Sequence, residues 1–296
     1  MDVSVFQAIA RRGPGYPPLL SELHDPPSTL FVRGDAAVLL EPGVAVVGAR
    51  SCSAYGAQVA RALARELAAA GLLVVSGLAR GVDGEAHRGA LEGGGRTVAV
   101  LGCGIDRDYP RSHAELARRI VASGAVVSEY PPGVEPAPWR FPARNRIIAG
   151  LSLATVVVEA RERSGALITA DFALELGRDV FAVPGEITSG LSAGTNDLLR
   201  QGAAPLTAVR DVLDAVGLEV EPTARSASVS DAARSLLALL DDGASAADDL
   251  TRASGLSSAQ VAAALVELEL GGLAAQAEGV YRSFSSGRTR GARRPA

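Results

Sequence analysis

The sequence predicts an α/β protein: an extended Rossmann-like, doubly wound parallel sheet followed by a small C-terminal winged-helix domain. Three observations predict it. From Gly43 onward, short valine-rich runs alternate with Ala/Leu-rich helical stretches, and most of those runs end in glycine or serine. Beyond residue 230 the pattern changes to three short helical stretches and a hairpin. Apolar runs without in/out alternation are strands buried on both faces, which requires helices covering a parallel sheet.

The elements follow in order. Residues 1–42 contain YPPLLSELHDPPSTLFVRGD, a proline-rich stretch with a few aromatic and leucine anchors. It is too short and irregular for its own core and is expected as an extended strap packed on the main domain. The strands VAVVGAR, LLVVSGLA, TVAVLGCG, AVVSEY, ATVVVEA and DVFAVPG are separated by helical patterns over residues 55–70, 84–91, 112–122, 145–151 and 167–176. Together they place the Rossmann domain at residues 43–218. Residues 219–230, with EPTARSASVS, read as a linker. Helical patterns at 232–240, 247–253 and 258–270, then GGLAAQAEGVYRSF, make residues 231–284 a winged helix. Residues 285–296 form a short basic tail, expected to be disordered.

Composition narrows the function. The chain has 296 residues, 48% of them hydrophobic and 21% charged, with a formal net charge of −4. A chain-wide positive field is therefore absent, and any nucleic-acid surface must be local. The chain contains no lysine, so every formal cation is an arginine. Arginine favours two-pronged phosphate contact, but a G+C-rich genome is the weightier explanation of the bias. Cys52 and Cys103 stand alone, without metal-ligand spacing or a disulfide framework. No run reaches the ~20 apolar residues of a membrane span. A soluble cytoplasmic protein without metal or cofactor is expected.

In open parallel sheets ligands bind beyond the carboxyl ends of the strands, so the turns there are the candidate rim. Gly48-Ala49-Arg50 closes the first strand, and Ser51 follows. The second turn runs from Ser76 to Asp83 through Gly77 and Arg80, with His87 beyond it. It matches neither a P-loop nor a GxGxxG helix start, so ATP hydrolysis is not supported. His87 lacks a triad partner and is expected to buttress the turn. A third turn carries Arg111 behind Tyr109-Pro110. Ser164 and Gly165, with Thr169 four residues later, open the helix after VVVEA. In FPARNRIIAGLS, Arg144, Asn145 and Arg146 are expected where a polar loop enters a helix, placing cations beside free N–H groups that hold a phosphate.

Taken jointly, VVGAR, SGLARGVDGEAH, YPR, FPARNRIIAGLS, EARERSGALITA, GRDVFAVPG and GTNDLLRQGA resemble the DNA-processing protein A family, DprA or Smf. The resemblance spans about residues 16–218. It implies a non-enzymatic single-stranded DNA binder that dimerises and loads the recombinase RecA during natural transformation. It implies that Arg50 and Arg111 grip phosphates, that Asn145 contacts a base or sugar, and that Arg146 serves as a clamp. Longer members carry an N-terminal helical domain, of which only the strap is expected here.

Two further expectations concern other chemistry. The third C-terminal helix carries Glu267 and Glu269 and no cation, with Asp241, Asp242, Asp248 and Asp249 nearby, so it is expected to contact protein rather than duplex DNA. The competing enzyme class, LOG-type nucleotide phosphoribohydrolases, resembles a PGGxGTxxE pattern. SGALITA lacks its paired glycines and glutamate, leaving Asp83 and Glu159 as the nearest carboxylates.

Overall fold

The computed structural model describes residues 6–218, 229–243, 245–270, 273–277 and 279–283. The chain divides into two compact units, Met1–Leu218 and Glu219–Ala296. The expected tail at 285–296, and all but the last two residues of the expected linker, lie outside the described residues.

The first unit is built on a nine-stranded sheet. Its strands are β1 (Gln7–Ala10), β2 (Thr29–Gly34), β3 (Gly43–Val47), β4 (Leu73–Ser76), β5 (Thr97–Val100), β6 (Ala125–Ser128), β7 (Ala154–Val157), β8 (Asp179–Ala182) and β9 (Ala204–Pro205). Their spatial order is β1-β2-β6-β5-β4-β3-β7-β8-β9. From β6 to β9 every neighbouring pair is parallel. Every residue of β3 to β7 is buried, as the unbroken apolar runs predict.

Helices α1 (Ala54–Ala69), α2 (Val82–Glu92), α3 (Ala114–Ser123), α4 (Arg140–Gly150), α5 (Gly165–Glu175), α6 (Ala193–Arg200) and α7 (Val209–Ala215) connect the strands or follow them. After β3 the chain builds outward through β4, β5 and β6, then returns to place β7 on the other side of β3. The gap beyond the carboxyl ends of β3 and β7 is thus the topological switch point, the place where such sheets bind ligands.

The N-terminal segment is more than a strap. β2 pairs antiparallel with β6 and β1 with β2, so the segment extends the sheet across one edge. Between these strands Leu20 and Leu23 are buried, and the Tyr16 hydroxyl donates to the Pro27 carbonyl at 2.8 Å. The prolines stand between the two strands rather than in them, and the pairing of Thr29–Gly34 comes from the neighbouring β6.

The second unit has its own apolar cluster, including Leu236, Leu240, Leu250, Leu265 and Leu268. Helices α8 (Asp231–Asp241), α9 (Ala247–Ser254) and α10 (Ser258–Leu270) accompany a three-stranded sheet of β10 (Ser245–Ala246), β11 (Ala274–Ala277) and β12 (Val280–Ser283) in the order β10-β12-β11. This is the winged-helix arrangement expected from the helix lengths and the hairpin.

Candidate nucleic-acid interface

The site begins with how the first turn is held. Ser53 caps α1, its hydroxyl accepting from the Gly56 amide at 3.0 Å and donating to Glu159 Oε1 at 2.5 Å. The Ser53 amide donates to Glu159 Oε2 at 2.8 Å. Glu159, only 5% exposed, thereby braces the turn from the end of β7. This leaves Arg50 exposed at the turn's tip, its guanidinium carbon 5.3 Å from the Phe141 ring centroid. Cation–π pairs at such sites contribute about 0.5–1 kcal/mol.

The second turn is held by Asp83, in the first turn of α2. Its Oδ2 accepts from the Gly77 amide at 3.1 Å and the Ala79 amide at 3.3 Å. Gly81 stands at φ 74°, and a Cβ there would lie 2.2 Å from the Ala49 carbonyl oxygen, so glycine is required for the first two turns to touch. Gly77 has no room either. A Cβ would fall 2.6 Å from an Arg144 guanidinium nitrogen and 2.7 Å from Asp83 Oδ2. Burial pushes the Asp83 carboxyl above its ordinary range, while Arg144 and the two amides pull it back.

Arg144, Asn145 and Arg146 correct the sequence-based picture. Helix α4 starts at Arg140, so the triplet lies in its middle, away from the unpaired N–H groups of the helix start. The polarity of FPARNR disguises a helix whose polar residues are spent inside the protein. Arg144 is 4% exposed and donates to the Gly77 carbonyl at 2.8 Å and to the Val100 carbonyl. Burial lowers its guanidinium to about 10, still cationic at neutral pH. Arg146 grips Glu129 with two donors at 2.8 and 2.7 Å and donates to the Asp25 carbonyl at 3.0 Å. It is committed as a clamp. Asn145 donates through its amide to the Gly165 carbonyl at 2.9 Å, tying α4 to the start of α5.

At that start Ser164 accepts from the Ala166 amide at 3.3 Å. In the third turn, Tyr109 stacks on Phe141 with centroids 5.3 Å apart and planes inclined by 28°. Phe141 therefore joins the Arg50 turn to the Tyr109-Pro110-Arg111 turn, and Arg111 beyond it is exposed.

These pieces enclose an open pocket of about 210 Å³ at the switch point. Arg50, Arg144, Asn145, Ser164, Gly165 and Thr169 line it, six of the residues singled out from the sequence. Gly77 lies behind it, between Arg144 and Asp83. Ser51 and Arg80 are exposed and, like Arg111 and Arg146, do not line it. Sequence reasoning missed Pro142 and Ile148, and it named Asp83 as the end of the second turn and a candidate carboxylate without placing it in the pocket wall. Asp83 had a usable signal, the carboxylate two residues into a helix after a glycine turn. The central place of Phe141 comes from contacts with residues 32 and 91 positions away along the chain.

His87 is fully buried, with Nδ1 2.7 Å from Thr97 Oγ1, and burial lowers its pKa to about 3. It is neutral and lies outside the pocket. Cys103 is buried and Cys52 half-buried, the bland roles expected of them. Among the described residues no cluster of three metal-ligating side chains occurs, and no helix is long and apolar enough to cross a membrane.

In the second unit, Glu267 of α10 accepts from the Ser230 amide at 2.7 Å and its hydroxyl at 2.6 Å. One of the two acids noted on that helix is thus bonded to the start of α8.

Both units of the chain are similar to known proteins. The family model for DNA recombination-mediator protein A matches residues 7–217, and that for the DprA winged helix domain matches residues 220–280. DNA processing protein DprA of Streptococcus pneumoniae is 48% identical over 202 residues, 67% of this chain and 70% of that protein. Protein Smf of Escherichia coli is 42% identical over 277 residues, 90% of this chain and 74% of that protein. The crystal structure of the S. pneumoniae protein superposes with a TM-score of 0.69 at 44% identity, covering 74% of this chain and 77% of that one. The DNA processing protein A of Helicobacter pylori, whose structure describes a single-stranded DNA binding mode, superposes with a TM-score of 0.65 at 31% identity, covering 71% of this chain and 95% of that one. Over both of its units, the chain belongs to the DNA recombination-mediator protein A family, DprA or Smf.

Proposed function

We propose that this chain binds single-stranded DNA on the rim of its parallel sheet, protects incoming strands and loads RecA onto them during natural transformation. One observation carries the reading: a pocket at the switch point lined by an exposed arginine, an aromatic ring, a helix start and a buried arginine. In this reading Arg50 and Arg111 neutralise phosphates from neighbouring turns. Ser51, Arg80 and the start of α5 at Ser164 and Gly165 add donors, and Phe141 offers a face to a base. Arg144 supplies a fixed positive wall without reaching out, and Arg146 holds α4 in place. The H. pylori relative's described binding mode supports the same ligand class.

The pocket's charge weighs against the enzyme alternative. Both carboxylates that sequence reasoning offered for hydrolysis are engaged, Asp83 by two backbone amides and Glu159 by Ser53. The protein acts as a mediator without catalytic residues or a cofactor, in the cytoplasm where RecA and the incoming strand meet. Self-association is proposed through the region of residues 194–203. Sedimentation showing a monomer at micromolar concentration counts against it. The winged helix is proposed as a protein-contact module, and salt-sensitive duplex binding by residues 226–284 overturns that.

The main test is anisotropy of a labelled oligo-dT strand across a salt series, with matched duplex as competitor. Wild type is expected to prefer the single strand. Arg50→Ala/Arg111→Ala removes two cations and is expected to flatten the salt slope by roughly 1.4, at ~0.7 per phosphate on single strands. An unchanged slope in the double variant removes Arg50 and Arg111 from the interface.

A further inference from the structure

We propose that Trp139, with Arg140 seated on its ring, is a second base-stacking platform for the same DNA strand, outside the pocket. The inference rests on the single-strand reading above and adds a separate contact to it.

Trp139 is the chain's only tryptophan and is 63% exposed at the start of α4. The Arg140 guanidinium carbon lies 4.7 Å from the Trp139 ring centroid and 5.1 Å from that of Tyr130. The cation thus sits against both rings, and it also donates to the Glu135 carbonyl. Pro136 and Pro138 stiffen the approach, and the Arg140 amide donates to the Ala137 carbonyl at 3.0 Å. A large ring is thereby held in water in a fixed orientation, with a positive charge against it.

The occupant follows from continuity and charge. Phe141, which lines the pocket, is two residues from Trp139, so their Cα atoms are at most about 7.6 Å apart. The proposal sets one base against Phe141 and a neighbouring base of the same strand on Trp139. Of the three arginines in residues 136–146, Arg144 and Arg146 are spent inside the protein, so the charge beside the ring is that of Arg140, and the nearby Glu135 carboxylate is paired with Arg107 at 2.7 Å. An aromatic face beside a fixed cation is how sequence-tolerant single-strand binders hold bases and phosphates together. A duplex keeps its bases stacked inside and offers the ring nothing to stack on.

The lone tryptophan is also the reporter. The full-length protein is titrated with a dT strand while tryptophan emission and the anisotropy of a labelled strand are followed in parallel. Emission is expected to quench in step with the rise in anisotropy. An abasic strand of equal length is expected to bind through its phosphates without quenching, and matched duplex to leave emission unchanged. Trp139→Ala is expected to weaken dT binding about tenfold while binding the abasic strand as wild type does. Trp139→Phe restores most of the loss. If dT raises the anisotropy but emission stays flat, or Trp139→Ala binds dT as wild type does, the platform is wrong and the pocket reading stands. No anisotropy change with dT sinks the single-strand reading, and the platform with it.

Discussion

The arginines of the strand-end turns and those of helix α4 look alike in the sequence and differ in everything else. Arg50 and Arg111 are exposed at the tips of glycine- and proline-containing turns. Arg144 and Arg146 sit mid-helix with their donors spent on backbone carbonyls and Glu129. Only the first pair has its charge exposed to solvent. The second pair ties α4 to the second turn, to the end of β5 and to Glu129. Arginine suits both tasks because its planar fork serves phosphate and carbonyl geometry equally well.

Breaking the helix side of this contrast should cost most. Arg144→Met leaves the Gly77 and Val100 carbonyls without their donor and removes the cation that offsets the buried Asp83, and each buried group left unsatisfied costs about 1–3 kcal/mol. Urea unfolding is expected to show that loss, with DNA binding failing alongside as the second turn loosens. A variant as stable as wild type would make Arg144 dispensable to the frame. Arg146→Ala should cost less, about 1.5–3 kcal/mol for hydrogen bonds to a charged partner, read from the same transition.

His87 sharpens the comparison by showing burial acting on a group with no opposite charge beside it. Its folded pKa, about 3, lies below the ordinary 6.5 because burial penalises the imidazolium. Between those values the unfolded chain binds a proton that the folded chain does not. The stability this neutral histidine contributes is therefore complete above pH 6.5 and falls as the pH drops toward 3, by up to about 1.4 kcal/mol per pH unit. His87→Gln, unfolded at pH 7 and pH 5, is expected to show a smaller acid-side loss than wild type. Equal losses would place the acid sensitivity elsewhere.

The turn side should give the smallest change in stability. Arg50→Ala/Arg111→Ala is expected to unfold within about 1 kcal/mol of wild type, the size of the lost Arg50–Phe141 cation–π contact. The same variant is the one expected to lose DNA affinity. A large stability loss there would erase the distinction between grip and frame.

Much of the fold was legible because it depends on periodicity. Unbroken β-branched runs such as VAVV and LVVS, bounded by glycine or serine turns, read as two-sided strands, and the helix lengths and hairpin past Ser230 suggest a winged helix. The N-terminal strands were not legible, since Thr29–Gly34 is a strand by virtue of β6 beside it. In the site, the turns and their small residues could be read off the chain. The boundary of α4 could not, because Phe-Pro-Ala-Arg-Asn-Arg has neither apolar period nor a capping side chain at its start.

By itself, then, the sequence determined which residue types stand at the strand ends, and through them the family. Only the tertiary structure decided which arginines are free. A guanidinium's role depends on whether a carbonyl or carboxylate distant in sequence, such as Val100 for Arg144 or Glu129 for Arg146, reaches it before the ligand does. That is a matter of three-dimensional distance and burial, which local sequence does not encode.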